Sequence, residues 1–562
     1  MNAVFCVLNS KYIHSSLSVW CLFSACKQKC DKNMHLSVVE GTINEPIDNI
    51  HNRITKKCPD VVLFSCYIWN ITATLALCKN LKNEFKNLKI VLGGPEVSYN
   101  VKQIFEDNSF VDFVSSGEGE VSIPQLIDCI EHEQTPDIAG VSYRTENGFV
   151  MDERASDTDE SISPFCEEYM RQLNGRIAYM ESSRGCPFRC AFCLSGRLGK
   201  VRYMNLDRVK SEILLLANSG SKTIKFVDRT FNCNKQRAVE ILTFILKNHG
   251  TTIPQDVCFH FEIAADLLDE TLFEIIKKLP VGCVQFEVGI QSFNERTLSA
   301  IHRKTDLEKV EHNVKKLLSF GNCHVHTDLI AGLPQEDYNS FVDGFNRAYE
   351  MKPNMLQLGF LKVLHGSDMA ENDELYPCNH CSEPPYEVTD TPFITQDELK
   401  NLHIAENELE RLYNSGRFRK TLNYVLSASK LTPFELFFNF GMHVKNNRLA
   451  NGCSLDEYTN VAFDYFASLD GINKMKLRDC FVCDRMAINN SGRMPDSLKS
   501  ADANLKKVKR ALLLLNPPEK GTNRCVNILY STNEAVYCDY ETQHKVSGEY
   551  ELKKVNLKGL YL

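Results

Sequence analysis

Short continuous apolar runs alternate with amphipathic segments along much of this 562-residue chain. Ala3–Leu8, His35–Glu40, Asp60–Ser65, Lys89–Gly93 and Phe110–Ser115 read as strands, and Ser15–Lys27, Ile47–Lys57, Thr72–Asn87 and Ser122–His132 as helices. Runs apolar on both faces between such helices predict a parallel sheet covered on both sides, with ligands outside the carboxyl ends of its strands. A second series follows: Ile177–Met180, Thr223–Asp228, Val257–Ile263, Cys283–Gly289, Cys323–Ile330 and Met355–Leu361, again with helices between them. Six βα units fit a partial (β/α)6 barrel, whose chemistry lies at the C-terminal strand ends. The fold class expected is therefore α/β: a Rossmann-like domain over 1–155, a barrel over 164–375, and a further domain over 376–562. An acidic, Ser-containing linker (Asp152–Ser163) separates the first two.

The second series opens on Cys186-Pro-Phe-Arg-Cys190-Ala-Phe-Cys193, preceded by Glu181-Ser-Ser-Arg-Gly185. Three thiolates this close can converge on one metal centre but leave a [4Fe–4S] cluster one ligand short. Buried or zinc-bound cysteines are the alternative, although this spacing without a nearby fourth Cys or His is unusual for a closed tetrahedral site. The C-x3-C-x-aromatic-C pattern resembles the radical SAM superfamily. The resemblance implies that S-adenosylmethionine (SAM) chelates the open iron, that Phe192 packs beside its adenine, and that the reduced cluster cleaves SAM to methionine and a 5′-deoxyadenosyl radical.

The strand ends of the first domain carry distinctive loops. Asn9-Ser-Lys-Tyr-Ile-His14 follows the first strand, and Ser65-Cys-Tyr67-Ile-Trp-Asn70 closes the third. Gly93-Gly94-Pro95-Glu96 follows the fourth, and Ser116-Gly117-Glu118-Gly119-Glu120 the fifth. Two glycines allow close backbone approach to a ligand, and helix-start amides can meet a phosphate or amide group. Upstream of the cysteine stretch, these loops resemble the cobalamin-binding domain of B12-dependent radical SAM enzymes. The resemblance implies cobalamin contacts at His14, Ser65, Tyr67, Gly93, Gly94, Pro95, Glu96, Gly117 and Glu118. The Asp-x-His-x-x-Gly signature of cobalamin mutases is absent, so either cobalt has no protein imidazole below it or His14 takes that role by another geometry.

Polar residues also mark the ends of the barrel strands: Asp228, Glu262, Glu287 with Gln291, and Asp328. One could be a satisfied core carboxylate, whereas a ring of them at one mouth argues for a polar ligand. Phe226-Val-Asp228-Arg-Thr230-Phe-Asn232 looks like the family's second-strand motif, and His260-Phe-Glu262 like the acidic position facing the SAM ribose. Glu287-Val-Gly-Ile-Gln291-Ser292 and Ile330-Ala-Gly-Leu-Pro334 are similar to recurrent strand ends near the adenosine. The family's literal Gly-Gly-Glu is missing, with Thr230 to Asn232 in its place.

Past the barrel lies Glu383-Pro-Pro-Tyr-Glu387, a family-like segment. Residues 395–427, Pro433–Val444 and Ser454–Leu469 read as helices, with a break at Asn414–Phe418. Ala511–Leu515, Cys525–Tyr530, Ala535–Tyr540 and Val546–Leu552 read as strands, giving a helical cap with a small β-rich tail. The pairs Cys378/Cys381 and Cys480/Cys483 could suit a further metal. The run Lys506-Lys-Val-Lys-Arg510 reads as a solvated face before a strand.

A net charge of −8 gives no general basic field for nucleic acid. No apolar run reaches membrane-span length, and the N-terminus reads as a first strand, not a signal peptide. The 23 cysteines, with no secretion signal, are expected as reduced thiols in an oxygen-poor cytoplasm. The function expected is a B12-dependent radical SAM enzyme that methylates or rearranges an unactivated carbon of a small molecule or peptide, supplied with electrons by a flavodoxin or ferredoxin. A cobalamin-free enzyme of the oxygen-independent coproporphyrinogen oxidase type, or a non-catalytic SAM- or tetrapyrrole-binding chaperone, are the alternatives.

Overall fold

The computed structural model describes residues 1–197, 199–447, 452–500, 504–518 and 523–559. The chain folds into two compact units: 1–283 with 299–304 and 360–392, and 284–298 with 305–359 and 393–562.

The first unit opens with a seven-stranded sheet. Its strands are β1 (Asn2–Asn9), β2 (His35–Thr42), β3 (Val61–Ser65), β4 (Lys89–Gly93), β5 (Phe113–Ser115), β6 (Val141–Thr145) and β7 (Gly148–Val150), in the order β2-β1-β3-β4-β5-β6-β7. The five strands of the expected βα alternation pair in parallel. β6 and β7 form the antiparallel hairpin that the Asn147-Gly148 turn specifies. β3 is buried at every position, and Val62, Phe64, Ile90, Leu92 and Val114 pack with Leu77, Leu81 and Ile104 from the covering helices. Burial of β3 at every position is what a continuous apolar run requires.

The same unit holds β8 (Ala178–Met180), β9 (Ser183–Arg184), β10 (Arg202–Tyr203), β11 (Thr223–Phe226) and β12 (Cys258–Ile263). β8, β11 and β12 are parallel, with helices Leu206–Ala217 and Lys235–Asn248 between them. β9 and β10 pair antiparallel and hold the cysteine loop between them. The second unit carries β13 (Val284–Gln291), β14 (His324–Ala331) and β15 (Met355–Phe360), with helices Leu307–Ser319 and Tyr338–Glu350. The six strands of the expected barrel repeat are thus present, in chain order and with helices between. The chain then returns to the first unit through 360–392, which carries the short strands β16 (Asn379–His380) and β17 (Val388–Asp390).

The rest of the second unit is helical to Ile488: Gln396–Glu408, Arg419–Ala428, Pro433–Asn446, Leu455–Ala467 and Lys474–Ile488. A π-helical stretch, Leu409–Asn414, precedes the break expected at 414–418. Thr395, Thr432 and Ser454 each form a capping box with the Glu three residues on. A three-stranded antiparallel sheet follows: β18 (Cys525–Leu529), β19 (Glu534–Cys538) and β20 (Lys553–Asn556).

Two tail assignments are corrected. Ala511–Leu515 belongs to a helix, Leu505–Leu515, because Val508 and Leu512 lie one turn apart and both pack on Val526, Ile528 and Tyr537. The basic run therefore lies on a helix. Val546–Leu552 is irregular, and the strand begins at Lys553. Among the described residues, neither Cys378/Cys381 nor Cys480/Cys483 gathers with a third Cys, His or carboxylate at metal-ligand spacing. Cys480 and Cys483 lie one turn apart on the helix Lys474–Ile488.

Candidate functional site: a cysteine loop and the open edge of a parallel sheet

The cysteine loop is braced from below by Asp228. Its carboxylate accepts the Ser182 amide (2.7 Å), the Ser182 hydroxyl (2.6 Å) and the Ser183 hydroxyl (2.7 Å), and is buried. Burial pushes its carboxyl up, and the serine donors oppose that shift. Both oxygens of this expected cofactor contact are thus engaged in fixing the strand that leads into the cysteines. Thr230 Oγ1 lies 3.5 Å from Cys186 Sγ. Asn232 exchanges hydrogen bonds with the backbone of Ala264 (2.8 and 2.9 Å), which ties the β11 end to the β12 end. Phe192 is partly buried within the loop.

Arg303 Nη1 donates to Cys190 Sγ at 3.6 Å, and the Ser195 amide donates to Cys193 Sγ at 3.4 Å. Burial raises the Cys190 thiol, and the Arg303 guanidinium draws it back down.

Arg184, two residues before Cys186, joins this loop to the sheet edge. It donates from Nη1 to Glu118 Oε2 (2.6 Å), from Nη2 to Glu120 Oε1 (2.6 Å) and from Nε to Glu181 Oε2 (2.9 Å). Arg202 pairs with Glu118 and Glu160. Glu118 therefore sits between two guanidinium groups. Gly117 has φ +81°, and a Cβ there would lie 2.4 Å from Ser156 Oγ.

At the other loops of the edge, Gly94 has φ +104°, and a Cβ would lie 2.5 Å from the Cys66 carbonyl oxygen, so only glycine fits. Gly93, Pro95 and Glu96 flank it, and the buried Glu96 accepts the Tyr386 hydroxyl at 2.5 Å. Ser65 Oγ lies 2.8 Å from Ser18 Oγ. Tyr67 stacks on the half-exposed Trp69, with centroids 4.4 Å apart and an interplanar angle of 7°. Asn70 holds the ends of β1 and β3 together through the Leu8 and Ser65 carbonyls (3.1 and 3.0 Å). His14 Nδ1 lies 2.7 Å from Tyr179 Oη, and desolvation lowers its pKa. Arg176 fixes this loop through the Tyr12 and His14 carbonyls and is ion-paired with buried Glu40 at 2.6 Å.

The barrel strands carry polar groups on one face. In the first unit, Tyr179, Lys225, His260 and Glu262 occupy the partly buried positions of β8, β11 and β12, with Lys225 Nζ 3.8 Å from Glu262. In the second, Gln285, Glu287 and Gln291 alternate with buried residues of β13, as His324, His326 and Asp328 do on β14. Glu287, His326 and Asp328 bring one donor atom each within 4.8 Å of one another. Gln291 has φ +74° at a register shift, and its Oε1 is buried without a hydrogen-bond partner among the described residues.

Sequence reasoning missed Arg184, Arg303 and Tyr386. Arg184 and Arg303 are cations beside the cysteines along the chain or in space, but nothing local distinguishes them from surface arginines.

Glu336, buried after β14, accepts the Ser292 hydroxyl at 2.5 Å, and burial pushes its carboxyl up to about 7. A raised carboxyl favours the protonated folded form, so its contribution is full below the unfolded value near 4.5 and is lost as pH rises through about 7. Glu336→Gln should raise the unfolding free energy by roughly 1–3 kcal/mol at pH 8 and change it little at pH 5. Equal gains at both pH values in thermal unfolding would refute this assignment.

Comparison with known families agrees with this geometry. The B12 binding domain model matches residues 4–127, the Radical SAM superfamily model 180–348, and a protein family of unknown function (DUF4080) 374–520. The chain joins a B12-binding domain to a radical SAM domain. It is 28% identical over 313 residues to the cobalamin-dependent radical SAM methyltransferase TokK of Streptomyces tokunonensis, covering 52% of this chain and 45% of TokK. It is 28% identical over 314 residues to the uncharacterized methyltransferase PH0819 of Pyrococcus horikoshii, covering 54% of this chain and 66% of that protein. The match thus spans less than half the length of TokK.

In fold, the chain is similar to the cobalamin-dependent SAM radical enzyme OxsB (TM-score 0.61, 14% identity, 85% of this chain and 78% of OxsB). It is also similar to the radical SAM methyltransferase TsrM of Kitasatospora setae with cobalamin and [4Fe–4S] bound (TM-score 0.55, 15% identity, 69% and 82%). Among the described residues no helix is long and apolar enough to cross a membrane.

Proposed function

We propose that this chain is a cobalamin-dependent radical SAM enzyme whose net reaction is methyl transfer to, or rearrangement at, an unactivated carbon of a small molecule or peptide. The observation that carries the reading is the Arg184 junction. One guanidinium bonds Glu181 in the lead-in to the cysteines and Glu118 and Glu120 on the B12-binding edge, so both cofactor loops are built against one another within one unit. Cys186, Cys190 and Cys193 would hold a [4Fe–4S] cluster, a three-cysteine set that would leave room for SAM as the remaining ligand. On the second unit, Gln291 Oε1 is a buried acceptor with no hydrogen-bond partner among the described residues. Glu262 is assigned to SAM, and the Gly93–Glu96 loop and Gly117 shape the cobalamin edge. His14 already engages Tyr179 through Nδ1, which leaves only Nε2 for a further partner.

When bound, the cluster and SAM supply one-electron reductive cleavage and hydrogen abstraction, and cobalamin supplies methyl transfer. The protein's own part is to orient these groups and exclude water. A small electron-transfer protein such as a flavodoxin or ferredoxin is the reductant proposed.

The test is anaerobic reconstitution with iron, sulfide and hydroxocobalamin, removal of unbound cofactor, and addition of SAM with dithionite. Retained cobalamin with formation of 5′-deoxyadenosine is expected, and S-adenosylhomocysteine in addition marks methyl transfer. Loss of cobalamin on desalting with SAM cleavage intact would instead support a cobalamin-free radical enzyme.

A further inference from the structure

The chain leaving the last barrel strand returns to the first unit as a strap that reaches both cofactor loops. Its two arms pair with each other: the Val388 amide donates to the Leu361 carbonyl (2.9 Å), and the Val363 amide to the Tyr386 carbonyl (3.0 Å). At the B12-binding edge, Tyr386 Oη donates to Glu96 Oε1 at 2.5 Å, and the His365 ring stands edge-on to Tyr386 at 4.8 Å. Tyr99, in the turn after Glu96, lies flat against Gly366, where a Cβ would come 2.1 Å from the Tyr99 ring. At the cysteine loop, the Met369 amide donates to the Ala191 carbonyl between Cys190 and Cys193 (3.1 Å). Glu371 accepts Arg197 Nη1 at 2.8 Å, and the same guanidinium stands 5.4 Å from the Tyr99 ring centroid. The contacts close a circuit from Glu96 through Tyr386, Gly366 and Glu371 to the cysteine loop, and back through Arg197 to Tyr99.

We propose that the strap 361–390 couples cobalamin retention to assembly of the cluster, with Tyr386 as the positioning residue that holds the Gly94–Glu96 loop. The proposal rests on the reading that this edge takes cobalamin. The Glu96 carboxylate, an expected cofactor contact, is buried and accepts the Tyr386 hydroxyl through Oε1, which sets the loop. A contiguous chain of contacts that has two arrangements, ordered and loosened, couples the sites at its ends, and the coupling so produced is reciprocal. Ordering the cysteine loop around the cluster fixes Ala191 and Arg197, hence the strap, hence Glu96 and Gly94.

The experiment is titration of the full chain with hydroxocobalamin, before and after anaerobic cluster reconstitution, followed by absorbance. Wild type is expected to bind more tightly once the cluster is present. Tyr386→Phe removes one hydrogen bond to a carboxylate and should weaken binding to the reconstituted protein about tenfold. Glu96→Gln keeps an acceptor for the Tyr386 hydroxyl and should retain near-wild-type affinity. Arg197→Leu should leave the cluster-free affinity unchanged and abolish the gain on reconstitution. Near-equal melting temperatures would show that Tyr386→Phe is folded. If it unfolds, Arg197→Leu decides alone. No binding by wild type overturns the cobalamin reading and the proposal with it. Wild-type binding with no gain on reconstitution, or with an undiminished gain in Arg197→Leu, overturns the coupling alone.

Discussion

Cys190→Ala should leave the anaerobically reconstituted chain without a stable [4Fe–4S] chromophore and take 5′-deoxyadenosine formation to background. Cys190 is the most buried of the three thiols in the loop, at 8% exposure, and Arg303 Nη1 points at its sulfur from 3.6 Å. An alanine there deletes one of three protein ligands and leaves the guanidinium facing a void instead of a thiolate. Two remaining cysteines cannot hold a cube that already lacks a fourth protein ligand. The control is Cys233→Ala. Cys233 lies near Cys186, but its sulfur sits 3.5 Å from the Tyr203 hydroxyl. Its loss should leave iron content and SAM cleavage near wild type. If Cys190→Ala retained full iron and sulfide, the assignment of the three cysteines would fall. If Cys233→Ala lost the cluster instead, a fourth protein ligand would close the site to SAM.

The parallel strands and the cysteine loop were legible because their signals are local. β1, β3 and β4 are continuous apolar runs, and Cys186, Cys190 and Cys193 are neighbours along the chain. Asp228 was legible as a special position at a strand end, but not in its role. Its three donors come from Ser182 and Ser183, 46 and 45 residues away, and a lone carboxylate after Phe226-Val does not announce which donors it will meet. Glu118 shows the same limit. In a glycine-rich loop at a sheet edge it reads as a ligand contact, and nothing local announces that Arg184, 66 residues later, pairs with its carboxylate. Tyr386 is farther still, 290 residues from Glu96. The helix Leu505–Leu515 was misread for a different reason. Ala-Leu-Leu-Leu-Leu is apolar enough for a buried strand, and only the spacing of Val508 and Leu512 over β18 and β19 separates the two periods.

Arg184→Met should lower the unfolding free energy by about 3–5 kcal/mol, the range for removing one partner from a buried charge network. Methionine retains the length of the stem, so the loss isolates the guanidinium. The side chains of Arg184, Glu118 and Glu120 are 14%, 16% and 7% exposed, too little for water to replace three ion pairs. Glu118 would keep Arg202, but Glu120 and Glu181 would lose their guanidinium contact. Burial already pushes the Glu181 carboxyl up, and Arg184 is the cation that opposes it. Without that cation the Glu181 carboxyl favours protonation in the folded state. The deficit of the variant should therefore be largest near pH 8 and shrink as pH falls and Glu181 takes up a proton. Chemical unfolding of the cluster-free chain at pH 8 and pH 5 measures both quantities. A loss under 1 kcal/mol at pH 8, or an equal loss at the two pH values, would show that the glutamates find other partners. A deficit that narrows at pH 5, together with loss of both hydroxocobalamin and iron from the reconstituted protein, would place the junction of the two cofactor loops at this one side chain.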